Sequence, residues 1–378
     1  MPDEKLTAYR GGKALRRGWT TGSCAAAASQ AAAVMLLTGI APPEIHLHTP
    51  GGITFCLPVE DAHMSGNAAV CTVRKDAGDD PDITNGVRIT ASVRRIEKGV
   101  AIEGGAGVGR ITRPGLAMPV GEAAINPGPR QQIADAVHRA AQQNGYNGGF
   151  SVTISVKDGE ALAAQTYNGH LGIVGGISIL GTSGIVEPMS EKALVDTIRL
   201  ELDSLYAQGQ RIAFLCPGNY GADFARDTLG LDLERAVKCS NFIGEAFDHA
   251  AYRGYPEILL VGHAGKLVKM AAGVMNTHSS VADARQEIFT AHAALCGAPR
   301  ETLEGLMAAI SVDACVELLD EVNLRQPVLS RIGREMETRI ALRMKGQARV
   351  EFIMFTGKYG VLAESAGARI LCERLKLQ

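Results

Sequence analysis

The 378-residue chain is long enough for two domains, and its composition excludes several classes of partner. Lys and Arg total 38 and Asp and Glu total 40, so the net charge is -2, whereas non-specific nucleic-acid binding requires a strongly basic face. Aromatic residues make up 5% of the chain, too few for a platform on which bases stack. The 8 cysteines form no Cys-x-x-Cys pair and several lie in apolar runs, which predicts reduced core residues in a cytoplasmic protein.

A buried helix is predicted from the alanine-rich run between Cys24 and Leu37. The run is too short for a membrane span and contains Ser29 and Gln30, and Gly39 suits the left-handed position that follows a helix. The N-terminus lacks the apolar segment of a secretory signal. The preceding turn, RRGWTTGS, carries two arginines and three hydroxyls, which either pack against the protein or hold an anion.

Segments between residues 44 and 96 alternate in polarity, which predicts a mixed or antiparallel sheet. His46 and His48 share a strand face, but no further ligand lies nearby in the sequence, so we interpret them as two half-exposed histidines. Residues 75–82, KDAGDDPD, carry four carboxylates. A metal or acid–base role competes there with a solvated turn, which we favour. Residues 104–115, GGAGVGRITRPG, lack the strand and helix of a nucleotide fingerprint and are equally consistent with a loop whose cations bind carboxylates.

Four short apolar runs in the C-terminal half are each followed by a glycine turn. Because these runs do not alternate, we expect strands buried on both faces of one parallel sheet, with the turns along the carboxyl edge where ligands bind. The turns are Gly181-Thr182-Ser183-Gly184, Pro217-Gly218-Asn219, Gly262-His263 and Thr356-Gly357. At this edge, His263 is either a functional residue or a histidine bonded to a loop carbonyl.

Seven long strings lie in order between Arg16 and Gly360: RRGWTTGSCAAAA, KDAGDDPDITNG, GVGRITRPGL, AINPGPR, LGIVGGISILGTSGIVEPMS, GNYG and GHAGKLVKMAAGVMNTHSSVADAR. Together they resemble the cobalt-precorrin-5B C-1 methyltransferase family of cobalamin biosynthesis. The resemblance implies methyl transfer from S-adenosylmethionine to ring carbon 1 of a corrin precursor, giving cobalt-precorrin-6A. It also implies an α/β fold of two domains, the second of them Rossmann-like. We therefore expect an α+β domain at 1–170 and a Rossmann-like three-layer domain with a mostly parallel sheet at 171–378. The residues between Ala282 and Gly346 have a helical pattern throughout, which predicts a helical insertion at about 278–346 before the last strand.

The chemical needs of the methyl transfer suggest which residues form the site. The first domain would bind the carboxylates of the tetrapyrrole, through cations at Arg17, Lys75, Arg110, Arg113 and Arg130. The second would bind S-adenosylmethionine, through Gly181, Thr182, Ser183, Gly184, Gly218, Asn219, Gly262 and His263. The proton acceptor would be His263 or Asp76. No protein-bound metal is expected, and a homo-oligomer is compatible with the sequence.

Two other functions stay open at this point. A Rossmann-like sheet serves an NAD(P)-dependent reductase equally well, although no turn has the GxGxxG spacing with an acidic residue about 20 positions on. A non-catalytic carrier of a tetrapyrrole intermediate is the second alternative. One departure from the family pattern concerns the substrate: His170 stands where the family usually has an arginine.

Overall fold

The computed structural model describes residues 4–10, 12–166, 168–169 and 171–377. The chain divides into two compact units, Met1–Glu191 and Lys192–Gln378. His170 lies outside the described residues.

The first unit combines helices with short and long strands. Its helices are α1 (Thr21–Thr38), α2 (Pro127–Gln143) and α3 (Gly159–Ala163). Its strands are β1 (Thr7–Arg10), β2 (Lys13–Arg16), β3 (Gly18–Trp19), β4 (Glu44–His48), β5 (Thr54–Ser65), β6 (Ala68–Arg74), β7 (Arg88–Ile96), β8 (Val100–Gly104), β9 (Gly107–Val108), β10 (Arg110–Ile111), β11 (Gly149–Val156), β12 (Ile173–Val174), β13 (Gly176–Ile177) and β14 (Ile185–Val186).

A six-stranded mixed sheet forms the centre of the first unit, as the alternating sequence predicts. Its strand order is β4-β5-β6-β7-β11-β8. Only β11 and β8 pair in parallel, and the other neighbours are antiparallel. The apolar faces of these strands bury against α1 and α2 in one core.

Helix α1 is the buried helix that the alanine-rich run predicts. The side chain of Thr20 accepts the Ser23 N–H at the helix start, and Gly39 closes its end in the left-handed conformation. By length and composition α1 is the one described helix that could cross a membrane, but 78% of this 18-residue helix is buried inside the structure. The small alanine side chains allow α2 and the sheet to approach it closely.

The boundary between the units lies later than residue 170, so the expected domain division is corrected. Residues 171–191 belong to the first unit because their strands pair with strands of that unit. Strand β12 pairs with β10, β13 with β9, and β14 with β3. Consequently the 177–180 run, expected as a strand of the parallel sheet, does not belong to it.

The second unit alternates strands and helices. Its helices are α4 (Glu191–Ala207), α5 (Asn219–Asp227), α6 (Ile243–Arg253), α7 (Ala264–Leu267), α8 (Arg285–Leu295), α9 (Arg300–Ala308), α10 (Val312–Glu321), α11 (Arg325–Met344) and α12 (Ala368–Lys376). Its strands are β15 (Ile212–Cys216), β16 (Ala236–Lys238), β17 (Glu257–His263), β18 (Arg349–Thr356) and β19 (Gly360–Glu364).

The sheet of the second unit has the order β16-β15-β17-β18-β19, and β19 is its single antiparallel strand. Successive residues of β15 enter two different cores: Ala213 and Leu215 face one, Phe214 and Cys216 the other. The sheet is therefore covered on both faces, which is the Rossmann-like three-layer arrangement that the non-alternating runs predict. Helices α8 to α11 lie between β17 and β18 in the chain and form the expected helical insertion.

Candidate functional site

In the first unit, the segment before α1 packs directly against the KDAG segment. The Trp19 N–H donates to the Asp76 carbonyl at 2.9 Å, and the Asp79 N–H donates to the Arg16 carbonyl at 2.9 Å. Gly78 has a φ of +67°, and a Cβ there would lie 2.1 Å from the Arg16 carbonyl oxygen. The two backbones thus leave no space for a side chain at this contact.

The same junction occupies the Asp76 carboxylate, which argues against its expected role as a proton acceptor. Both terminal nitrogens of the Arg16 guanidinium donate to it, at 2.6 and 2.8 Å. The Gly78 N–H donates to it as well, at 2.9 Å. Arg16 holds the pKa of Asp76 below its usual value. A carboxylate this strongly stabilised in its charged form is a poor base.

Lys75 was expected to bind substrate, but the structure buries it. Its side chain is 4% exposed and ion-paired with Asp82. It also donates to the Thr84 hydroxyl at 2.5 Å. These bonds close the 75–86 loop on itself, so Lys75 has a structural role.

The other expected substrate cations differ in how many of their donors are free. Arg130 donates to the carbonyls of Ile125 and Ile102, both at 3.0 Å. Arg17 donates to the Lys5 carbonyl at 2.9 Å and to Glu187 at 3.1 Å. The guanidinium groups of Arg17 and Arg130 are therefore already bonded to groups of the protein itself.

Arg113 remains available in the first unit, and so in part does Arg110, whose side chain is 51% exposed, against 22% for Arg17 and for Arg130. Arg110 is exposed and bonded to the Gly121 carbonyl and to Glu103, at 3.0 and 3.1 Å. Arg113 is half-buried and has no hydrogen-bond or ion-pair partner within the described part of the chain. It is the expected substrate cation whose donors are free.

The turn at Gly181 to Gly184 also belongs to the first unit, against the start of α1. The Gly22 N–H donates to the Leu180 carbonyl at 3.0 Å, and the Ser23 hydroxyl donates to the Gly184 carbonyl at 2.7 Å. Gly181 has a φ of +119°, and a Cβ there would lie 2.5 Å from Thr20 side-chain atoms. Protein atoms thus use the N–H groups at this helix start, which favours packing over anion binding.

The expected donor-binding role of this turn therefore loses its structural basis. It does not lie on the carboxyl edge of the parallel sheet, as the sequence pattern predicted. Thr182 and Ser183 are nevertheless exposed.

In the second unit, the carboxyl edge of the parallel sheet carries polar groups and two lysines, of which Asn219 and Lys238 are exposed. The loop after β15 presents Gly218 and Asn219 at the start of α5. Lys238, the last residue of β16, donates to the Asn219 side-chain oxygen at 3.3 Å. Lys266 on α7 donates to the Ser240 carbonyl at 3.3 Å. Gly262 is buried in β17 and lies beneath this surface.

His263 is the last residue of β17 at this edge, and its hydrogen bond determines which of its ring nitrogens carries the proton. The Gly265 N–H donates to its Nδ1 at 3.1 Å, so the histidine caps α7. Burial lowers its pKa, although the charge of Asp313 acts in the opposite direction. A neutral ring with Nδ1 accepting carries its proton on Nε2 and is therefore a donor there. This geometry disfavours His263 as the proton acceptor and suits it to bind a ligand oxygen.

Glu201 is a candidate that the sequence analysis missed. It lies on α4, and its carboxylate accepts the backbone N–H of Lys238 at the end of β16. Burial raises its pKa to about 7, the range in which a carboxylate is an effective general base near neutral pH. No motif marks it, because only the fold brings α4 to the end of β16.

The NTHSSVADAR segment before α8 is fixed to this unit by a buried cation. The Lys269 ammonium donates to the carbonyls of Thr277 and Ala282 at 3.2 and 2.8 Å, and its side chain is 3% exposed. Arg285 forms an ion pair with Asp283 in the same segment. The string thus has a clear structural role.

Comparisons with known proteins match almost the whole chain. The family model described as CbiD matches residues 8–188, and the CbiD C-terminal domain matches residues 276–366. A cobalt-precorrin-5B C(1)-methyltransferase from Ruminiclostridium cellulolyticum is 50% identical over 92% of this chain and 90% of that protein. One from Alkaliphilus metalliredigens is 43% identical over 97% and 96%. The chain belongs to the CbiD family.

A crystal structure of the cobalamin biosynthesis protein (cbiD) from Archaeoglobus fulgidus is 30% identical, with a TM-score of 0.41 covering 75% of this chain and 88% of that one. The CbiD membership confirms the resemblance drawn from the seven sequence strings.

The packing at Gly78 gives a first prediction about this CbiD-family chain. Gly78→Ala should destabilise the first unit by at least about 2 kcal/mol, since positive φ alone costs roughly 1–3 kcal/mol and the Cβ would overlap backbone. The matched control is Gly86→Ala: its φ is +79°, but no atom lies within 4 Å of its Cβ position. Urea unfolding followed by fluorescence of Trp19, the single tryptophan, measures both. Equal losses in the two variants would contradict the packing argument.

The raised pKa of Glu201 gives a second prediction, about stability and pH. Because burial raises this pKa from 4.5 to about 7, the folded protein binds the proton more tightly than the unfolded chain. The resulting stabilisation is complete below pH 4.5 and is lost as pH rises through about 7. The free energy of unfolding of Glu201→Gln should equal that of the wild type at low pH. At about pH 8 it should exceed the wild-type value by roughly 1–3 kcal/mol.

Urea unfolding followed by far-ultraviolet circular dichroism at several pH values measures this difference. Glu191→Gln, an exposed carboxylate on the same helix, is the control and should show no pH-dependent gain. If the free energies of unfolding of Glu201→Gln and the wild type differ by the same amount at all pH values, the raised pKa of Glu201 is refuted.

Proposed function

We propose that this chain methylates ring carbon 1 of a corrin precursor, cobalt-precorrin-5B, with S-adenosylmethionine as the methyl donor. The observation that carries this proposal is the 50% identity to a curated cobalt-precorrin-5B C(1)-methyltransferase over 92% of this chain and 90% of that protein. The reaction belongs in the cytoplasm, consistent with eight free cysteines among the described residues.

The donor fits the carboxyl edge of the parallel sheet in the second unit. When bound, S-adenosylmethionine supplies a methyl group already activated on a positively charged sulfur. Its amino-acid part carries a carboxylate, and the edge offers the ammonium groups of Lys238 and Lys266 to bind it. We assign its binding to Gly218, Asn219 and the Nε2–H of His263, and withdraw Gly181 to Gly184 from that role.

The acceptor is a macrocycle with several carboxylates, which guanidinium groups bind with charge-assisted hydrogen bonds. We assign this contact to Arg113 and the exposed Arg110. Lys75, Arg17 and Arg130 are withdrawn, because each is bonded to protein groups and its side chain is mostly buried.

The chemistry requires alignment more than acid–base assistance. Holding donor and acceptor in line contributes about 7–11 kcal/mol to lowering the barrier. A base that removes the proton displaced from the ring system adds roughly 10²–10⁴-fold. We assign that base to Glu201, in place of His263 and Asp76.

Calorimetry followed by an activity assay tests the function. Binding of S-adenosylmethionine without binding of NADPH supports the methyltransferase, the reverse supports a reductase, and binding of neither supports a tetrapyrrole carrier. Incubation with isotopically labelled donor and the precursor should then add one methyl group at ring carbon 1, located by mass spectrometry and nuclear magnetic resonance. No mass gain would reject the proposal.

Removing the carboxylate of Glu201 tests the proposed base. Glu201→Gln should lower kcat by at least about 10²-fold, since general bases contribute roughly 10²–10⁴-fold. Calorimetry should show that donor binding is retained. The wild-type kcat should rise with pH around 7 as Glu201 loses its proton, and the variant should lose this rise. A normal kcat or an unchanged pH profile in Glu201→Gln would show that Glu201 is not the base.

Two substitutions separate the hydrogen bond by which His263 caps α7 from the one that its Nε2–H would donate to S-adenosylmethionine. His263→Ala removes both the helix cap and the Nε2–H donor, so it should lower stability and weaken donor binding by at least about tenfold. His263→Asn keeps a capping oxygen but has a shorter side chain, so it should restore stability without restoring binding. Thermal unfolding and calorimetry measure the two effects. Normal donor binding in His263→Ala would remove the residue from the site.

A further inference from the structure

The hairpin at the edge of the six-stranded sheet places three metal-binding side chains on one exposed face. In the antiparallel pair β4 and β5, His46 lies opposite Cys56 and Glu44 lies opposite Pro58. Because side chains two residues apart on a strand share a face, Glu44 lies beside His46. The intervening Ile45 is buried, whereas Glu44, His46 and Cys56 are exposed.

These three side chains already converge. One ligand atom from each of Glu44, His46 and Cys56 lies within 4.8 Å of the other two. The His46 Nε2 atom is 3.2 Å from a Glu44 carboxylate oxygen. The Cys56 thiol is hydrogen-bonded to the same carboxyl group. The two strands thus hold the three ligand atoms around a common point without any movement of the backbone.

The mixture of donors selects the kind of ion. Sulfur, imidazole nitrogen and carboxylate oxygen together suit Zn²⁺ and similar borderline-soft cations, whereas Mg²⁺ and Ca²⁺ prefer oxygen donors alone. Zn²⁺ takes four ligands, and three from the protein leave one position for water. We propose that Glu44, His46 and Cys56 form a surface site for a divalent cation of the Zn²⁺ type.

None of these three ligands is among the residues that we assign to methyl transfer. The site departs from the sequence expectation of no protein-bound metal, in which His46 and His48 were interpreted as two half-exposed histidines. His48 takes no part in the cluster: its Nδ1 lies 3.1 Å from the Thr54 hydroxyl. Cys56 joins the cluster through strand pairing, which sequence spacing does not show, whereas Glu44 lies two residues before His46 on the same strand. A bound ion would link the edge strand β4 to β5.

Cobalt titration of the full-length, metal-free protein tests the site. Co²⁺ replaces Zn²⁺ in such sites, and thiolate coordination gives a charge-transfer band in the near ultraviolet. One equivalent of Co²⁺ should produce this band, and added Zn²⁺ should displace the Co²⁺ and remove the band. Cys56→Ser should abolish the band, and His46→Ala should weaken binding at least about tenfold, since even changes outside the ligand shell cost 10–100-fold.

The matched control is His63→Ala, which removes another exposed histidine of β5 outside the cluster. It should bind Co²⁺ like the wild type. Absence of the band in the wild type, its persistence in Cys56→Ser, or its loss in His63→Ala would overturn the proposal.

A second measurement needs no variant and so does not depend on how a variant folds. Among the described cysteines Cys56 is exposed, Cys296 is half-buried and the other six are buried. An alkylating reagent should therefore modify Cys56 first in the folded protein, as located by peptide mass spectrometry. One equivalent of Zn²⁺ should slow this modification at least about tenfold, because a coordinated thiolate is shielded. An unchanged rate at Cys56 would overturn the site.

Discussion

Close backbone packing around the start of α1 is the constraint on which the first unit depends. Residues 16–19 bond to residues 76–79, and the turn at 181–184 bonds to the first residues of the helix. Contacts this close admit no side chain at Gly78 or Gly181. Three segments that are distant in the sequence are thereby joined, and this joining sets the boundary of the unit at Glu191.

This constraint explains why the most distinctive strings of the sequence are not all parts of a ligand site. Glycines and charged residues that suggest phosphate or carboxylate binding serve packing here: Asp76 neutralises Arg16, and Lys75 neutralises Asp82. A glycine turn has the same sequence whether its N–H groups face a ligand or another segment of the chain. The sequence therefore indicates that the backbone approaches something closely, but not what it approaches.

The sequence predicted more of the fold than of the site. The buried helix α1, the mixed sheet, the three-layer unit and the helical insertion all follow from local apolar patterns, and their order along the chain was correct. The 177–180 run was assigned to the wrong sheet, because strand pairing is a long-range property that a short apolar run does not encode. Glu201 and Cys56 acquire their significance only through tertiary contacts, and only the contacts of the described residues distinguish Arg113 from the other predicted cations.

The central claim is that the methyl donor binds at the carboxyl edge of the parallel sheet and not at the glycine turn of the first unit. Hydrogen exchange followed by mass spectrometry, with and without S-adenosylmethionine, tests this most directly. The account predicts slower exchange in peptides covering residues 217–221 and 262–267, with residues 180–184 unchanged. Protection confined to residues 180–184 would contradict it.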